Sequence, residues 1–235
     1  MAKPFHFKQF TVHHHRCAMK VGTDAVLLGT WTAVGVANRI LEIGTGSGVI
    51  ALMLAQRTNQ NVEIDAVEIL AEDAAQAEQN FIQSPWAAKI KMHHTAIQGF
   101  NAAPYDLIVC NPPFFSNSLL PPSGKRKIAR HTLSITQPEL VKQVDRLLSQ
   151  KGRFALILPV EEGEKFKTVA GKANLHCNRK MAIYTRMNKP QERWLLEFSR
   201  EKKGGPHRES LTLYGQGENW SSAYKDLTKS FYLNL

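Results

Sequence analysis

The chain has 235 residues, 43% of them hydrophobic and 21% charged, a composition with enough apolar content for a core and outside the disordered, collagen-like and coiled-coil classes. That length suits one α/β domain with at most a small appendage, not two full domains. Against 20 Asp+Glu stand 30 Lys+Arg, and the net charge of +10 leaves two readings open: a solvated basic surface that maintains solubility, or docking to a polyanion.

In chain order, AMKVGTDAVLLGTW (18–31) predicts a turn at Gly22, an N-cap at Thr23 or Asp24, and an apolar helix. RILEI predicts a strand ending at Gly44, and SGVIALMLAQR a helix, with Val49, Leu52, Met53 and Gln56 at helical spacing. VEIDAV (62–67) reads as a buried strand and LAEDAAQAEQNFIQ (70–83) as a helix rich in helix formers. A weaker strand at 89–92 and a strong one at YDLIVC (105–110) follow, then a helix over 137–148, a strand at GRFALIL (152–158) and a helix near 161–173. Alternation of this kind predicts a parallel, doubly wound sheet. RKMAIYT (179–185) and ERWLLEFS (192–199) have only a short turn between them, which predicts a hairpin and a last strand running antiparallel to the rest. A dinucleotide-binding Rossmann domain keeps helices between its strands, and this ending departs from it.

The three cysteines, Cys17, Cys110 and Cys177, lack an even count and paired metal spacing, which argues against a disulfide framework or zinc ribbon and for a reducing, cytoplasmic setting. MAKPFHFKQF has no apolar core of the signal-peptide kind, and no apolar run approaches membrane-spanning length. Adjacent histidines at 13–15 in an extended segment do not converge on one ion, so no metal is expected.

LEIGTGSG places Gly44, Gly46 and Gly48 between a strand and a helix, with Glu42 just before them. Glycines let a ligand lie against bare backbone beside helix N-terminal amides, so a nucleotide-like cofactor belongs over this turn. Glu68, at the end of the next strand, is placed to accept hydrogen bonds from a ribose diol. The spacing is G-x-G-x-G where a dinucleotide wants G-x-G-x-x-G, and Glu42 would repel a diphosphate. A sulfonium and an ammonium would welcome that acid, which favours S-adenosyl-L-methionine.

These residues resemble the class I S-adenosylmethionine-dependent methyltransferases. The resemblance implies a Rossmann-like, seven-stranded, mostly parallel sheet with a C-terminal antiparallel hairpin. In that family an acid often follows the third strand and contacts adenine; here KMHHTAIQGF (91–100) offers His94, Thr95 and Ala96 instead, so Thr95, by hydroxyl or backbone, is the candidate contact.

YDLIVC delivers Asn111-Pro112-Pro113-Phe114 to the carboxyl edge. An amine conjugated to a ring is a poor nucleophile; an Asn oxygen and the Pro112 carbonyl can accept its two N–H hydrogens and aim the lone pair at a methyl group. The prolines hold the loop's shape, and Phe114 can stack on a planar substrate. The tetrapeptide is similar to the [DNS]-P-P-[YFW] motif of amino methyltransferases, whose acceptors are adenine N6, cytosine N4, guanine N2 and glutamine amides.

KVGTDAVLLG, LEIGTGSG, NPPF and the closing ENWSSAYKDLTKSFYL together resemble, from about Phe7 to Leu233, the bacterial tRNA (adenine-N6)-methyltransferases that modify the adenine next to the anticodon of a valine tRNA. That resemblance implies tRNA as partner, a head that helps close the cofactor pocket through Thr23 and Asp24, and one methyltransferase domain: a cap segment 1–38, a catalytic core 39–200 and a tail 201–235 packed on it. A monomer is expected over an oligomer. Beyond NPPF, Lys125, Arg126, Lys127, Arg130 and His131 are candidates for holding phosphates around the target base. Guanine N2 of ribosomal RNA, a release-factor glutamine, and an RNA-binding module with a degenerate cofactor site are the competing readings.

Overall fold

The computed structural model describes residues 3–113 and 135–233. In the head, two short strands, β1 (Phe5–His6) and β2 (Thr11–Val12), pair antiparallel and lead into α1 (Thr23–Trp31). Then come β3 (Arg39–Ile43), α2 (Val49–Gln56), β4 (Glu63–Glu68), α3 (Ala71–Ile82), β5 (Ile90–His94) and β6 (Tyr105–Cys110). Past residue 134 lie α4 (Gln137–Leu147), β7 (Leu148–Pro159), α5 (Val160–Lys172), β8 (His176–Tyr184), β9 (Gln191–Ser199), β10 (His207–Thr212) and α6 (Ser222–Thr228).

One sheet runs in the order β10-β8-β9-β7-β6-β3-β4-β5. Strand β9 is antiparallel to both neighbours, as its short turn from β8 dictates, and every other pairing in this sheet is parallel. The seven expected strands are joined by an eighth, β10, which returns the chain to the parallel direction along β8. HRESLT carries no apolar alternation, because as an edge strand it buries only Leu211. Strand β7 also starts four residues before the expected 152, directly where α4 ends, and its register against β6 is irregular between Tyr105 and Leu107.

Two further local differences bear on the site. The N-cap of α1 is Gly22, in extended conformation and without a side-chain bond, not Thr23 or Asp24. Asp24 instead accepts from Arg193 Nε of β9 at 3.0 Å. Helix α4, by contrast, starts from a full capping box in which Thr136 and Glu139 satisfy each other's backbone N–H groups.

Both faces of the sheet are covered. On one, α1 and α2 pack with Val26, Leu28, Trp31, Ile50, Met53 and Leu54 buried; on the other, Leu140 and Val144 of α4 and Phe166 of α5 meet Phe154 and Phe198. Helix α2 is buried from Val49 through Ala55 because α1 lies against its outer side, so it shows no polar stripe. The head and tail meet on the α1/α2 face: Lys8 N–H donates to Phe231 O at 2.7 Å, Lys8 Nζ to Lys229 O at 2.7 Å, and the Phe7 and Tyr232 rings stack at 6.0 Å.

Candidate cofactor and amine-acceptor site

The chain leaves β3 toward β4 on one side and later adds β6 on the other, so a crevice opens where their carboxyl ends diverge. Gly44, Gly46 and Gly48 fill the turn above β3 with φ of 71°, 54° and 81°, a region that favours glycine. A Cβ at Gly44 or Gly46 would meet nothing within 4 Å, which leaves bare backbone facing open space, as a bound cofactor requires. Gly48 is different: a Cβ there would stand 2.4 Å from Phe81 Cε1, so this glycine is demanded by the close approach of α3 as well as by its φ.

The two acids hold the turn's shape. Glu42, 1% exposed, accepts through Oε2 the Thr45 hydroxyl and, at 3.0 Å, the Ala51 N–H in the first turn of α2. Glu68 Oε2 takes the Gly46 N–H at 2.9 Å, while Oε1 takes those of Ile69 and Leu70 at 2.8 and 3.0 Å. These three N–H groups occupy most of a carboxylate's roughly four acceptor positions. A two-point grip on a diol therefore requires one of them, the Gly46 N–H being nearest the open space, to turn away.

The pocket is acidic inside a basic protein. Burial pushes the Glu42 carboxyl up to about 8, outweighing its two hydrogen bonds, and the charge of Glu68 adds to the shift. Burial likewise pushes up the thiol of Cys110, with Glu42 and Glu68 both contributing, so it is a buried small residue and a poor nucleophile. Cys17 of the head is pushed up to about 12 by burial, then by Asp73 and Glu68, which places the head within the field of Glu68 as well. A cationic ligand would favour the ionised Glu42 carboxyl and draw off its proton, whereas a diphosphate would hold the proton on.

Sequence reasoning missed the residues that fasten the head over this pocket. Asn80, 1% exposed, accepts the His13 N–H at 3.0 Å and donates to His13 O and to Ser47 O in the glycine turn, both at 2.8 Å. Asp73 accepts the Ala18 N–H at 3.0 Å. A signal existed: Asp73, Ala77, Asn80 and Phe81 share one buried stripe of α3, where a polar residue needs a partner. The histidine run is used locally, with buried His14 accepting the Val21 N–H at 3.2 Å, and no metal-holding group of three His, Cys, Asp or Glu occurs among the described residues.

Asn111, half-buried, and buried Pro112 follow β6 at the carboxyl edge, just past the Ile43–Cys110 pair of β3 and β6 and so level with the start of the glycine turn; Pro113 is exposed. Thr95 follows β5, its N–H donating to Glu68 O at 2.9 Å, with Ala96 half-buried beside it. Thr23 and Asp24 open α1 on the same edge, Asp24 being held by Arg193. Phe114, Lys125, Arg126, Lys127, Arg130 and His131 lie outside the described residues.

A family model described as the methyltransferase small domain matches residues 17–167. A tRNA1(Val) (adenine(37)-N6)-methyltransferase of Tolumonas auensis is 43% identical over 98% of this chain and 97% of its own length. One of the same name from Photorhabdus laumondii subsp. laumondii is 44% identical over 97% and 95%. Among solved structures, a predicted O-methyltransferase of Agrobacterium tumefaciens superposes with a TM-score of 0.69 at 16% identity, covering 91% of this chain and all of that one. A methyltransferase from Pyrococcus furiosus gives 0.55 at 18% identity over 79% and 90%. At those identities the two structures speak to the fold alone, that of class I methyltransferases.

Proposed function

The chain belongs to the methyltransferase small-domain family, and from that membership we propose that it transfers a methyl group from S-adenosyl-L-methionine to the N6 amine of the adenine next to the anticodon of a valine tRNA. The observation that carries this reading is the pair of buried acids, Glu42 and Glu68, beneath the open glycine turn of a chain of net charge +10, with Asn111 and Pro112 following the adjacent strand β6. Full-length relatives bearing that activity in their names support the choice of substrate.

S-adenosyl-L-methionine supplies the electrophilic methyl group. Gly44 and Gly46 would leave room for it over bare backbone, Glu42 once ionised would balance its positive charge, Glu68 would accept from its ribose hydroxyls as the Gly46 N–H turns away, and Thr95 would line the side where its base lies. Thr23 and Asp24 contribute from the head. Asn111 Oδ1 and the Pro112 carbonyl accept the two amine hydrogens, orienting the nitrogen lone pair, while Pro113 stiffens the loop and Phe114 stacks on the base. The adenine reaches this pocket by turning out of its stack. Lys125, Arg126, Lys127 and Arg130 hold neighbouring phosphates, giving affinity without reading sequence.

No helix among the described residues is long and apolar enough to cross a membrane. We place the enzyme in the cytoplasm, acting as a monomer in which head, core and tail form one unit. Labelled S-adenosyl-L-methionine and unmodified tRNA should yield N6-methyladenosine; label in N2-methylguanosine or in a protein would overturn the assignment. Asn111→Ala should abolish transfer and largely spare cofactor binding, and equal loss of both would make Asn111 structural.

A further inference from the structure

We propose that the turn between β8 and β9 is an RNA-contacting finger: Met187 packs against a base beside the turned-out adenine, and Lys189 holds a flanking phosphate. This rests on the tRNA reading above and adds a contact from a different segment of the chain.

The topology sets the place. Strand β8 ends and β9 begins at the carboxyl edge that also carries Asn111, and β9 stands two strands from β6, about 10 Å at ~4.8 Å per strand. From Arg193, paired with Pro159 at the end of β7, the chain continues past the edge to Asn188, a rise of up to about 16 Å at ~3.3 Å per residue. The turn is thus a wall beside the mouth of the site. On the other side of the mouth the head forms a second wall, with Arg16 and Lys20 exposed and Met19 at 60% exposure.

The turn's chemistry names the partner. Met187 is 88% exposed, far more than packing on its own chain would leave it, and residues 185–191 include Arg186 and Lys189 but no acid. An apolar side chain flanked by cations matches a nucleic-acid strand, whose bases are apolar on their faces and whose backbone is anionic. Removing a base from its stack leaves its neighbours' faces bare, and a methionine is among the side chains that fill such gaps.

The turn is also braced. Lys189 N–H donates to Arg186 O at 3.0 Å, closing a β-turn with Met187 and Asn188 at its tip, and Thr185 donates to Glu192 across the strands. The Arg186 guanidinium lies 5.2 Å from the centroid of the Tyr214 ring and donates to Gly217 O. Tyr214 stacks on Trp220 and Trp220 on buried Tyr224, each at 4.4 Å, so the finger is propped by an aromatic column of the tail. With the turn's backbone already fixed, only the methionine's own rotamers remain to be ordered when it meets its partner.

The test compares the full-length protein with Met187→Ala, Met187→Leu and Lys189→Ala on valine tRNA carrying 2-aminopurine beside the target adenine. Met187→Ala should raise KM for tRNA about tenfold, the factor expected for losing roughly half the burial of a methionine, with kcat within about twofold. It should also diminish the 2-aminopurine fluorescence change on binding, whereas Met187→Leu restores both. Lys189→Ala should lower the slope of log affinity against log salt by about 0.7 to 1. All three proteins should match the wild type in S-adenosyl-L-methionine affinity and Tm. Wild-type KM, fluorescence and salt slope in the Ala variants would overturn the finger while leaving the tRNA activity intact. Loss of a dimer in Met187→Ala would overturn it in favour of a second copy as the occupant. A wild-type protein that forms no N6-methyladenosine in tRNA would sink the underlying reading, and the finger with it.

Discussion

Glu42→Gln should stabilise the cofactor-free protein at neutral pH while weakening its hold on the cofactor. The carboxyl is 1% exposed, and burial raises it from its ordinary 4.5 to about 8. In the unfolded chain Glu42 ionises near 4.5, whereas the folded chain keeps the proton to about 8, so between these values the unfolded state binds fewer protons. Stability therefore falls as pH rises: the penalty is absent below 4.5, grows through the window and is complete above 8. At pH ~7 it amounts to about 3 kcal/mol, a large share of the ~5–15 kcal/mol that holds an ordinary domain together. A Gln amide oxygen can accept the same Thr45 hydroxyl and Ala51 N–H without ever ionising. Urea unfolding of both cofactor-free proteins from pH ~5 to ~8.5 should give curves separated by about 1 kcal/mol at the acid end and by about 3 kcal/mol at pH ~7, the variant ahead. Because a cationic ligand favours the ionised carboxyl, binding at pH ~7 should release close to one proton in the wild type and none from this position in the variant. Calorimetry in two buffers of different ionisation enthalpy measures that difference. Parallel pH curves for the two proteins would refute the argument that Glu42 carries the buried proton.

Gly48→Ala forces a non-glycine residue to φ 81° and drives its Cβ to 2.4 Å from Phe81 Cε1; thermal unfolding should show a loss of roughly 2–5 kcal/mol, and adding Phe81→Leu should recover only the packing part. Asn80→Ala strips partners from the His13 N–H, His13 O and Ser47 O, so hydrogen exchange in residues 11–20 should accelerate and cofactor affinity fall, with a cost of roughly 2–4 kcal/mol. Unchanged exchange in the head would mean that Asn80 does not fasten it. For roughly four phosphate contacts, tRNA affinity should drop about 100-fold between ~50 and ~200 mM salt, with cofactor affinity nearly constant; a flat tRNA response would remove the basic surface from the account.

The buried strands were legible because a parallel sheet covered on both faces writes itself as short apolar runs, as in RILEI and YDLIVC. Strands β1 and β2, two residues each, are too short to leave a period, and β10 shows water most of its side chains. The cap of α1 was misread because Thr23 and Asp24 are good capping residues whose side chains are used elsewhere, Asp24 on Arg193. Within the site, the glycines and Glu68 were readable because backbone geometry prescribes them. That Glu68 already holds three main-chain N–H groups, and that Glu42 sits deep enough to keep its proton, depend on how far the turn folds over them. Asn80 and Asp73 were visible as polar residues in an apolar stripe, but their partners in the head lie 67 and 55 positions away, beyond the reach of any local pattern.

The clasp between Lys8 and the tail spans 221 positions of sequence, and it anchors the segment that Asn80 lays over the glycine turn. During synthesis the ribbon around Lys8 emerges first and meets Asn80 and Trp86 early, the Phe10 ring lying edge-on to Trp86 at 5.7 Å, but its partners Lys229 and Phe231 leave the ribosome only near the end. The clasp therefore closes last, once the folded sheet has brought its two ends together. A chain truncated before Lys229 would keep the Asn80 and Asp73 fasteners but lose the outer clasp, so the tail should tune methyl-donor affinity without standing near the donor.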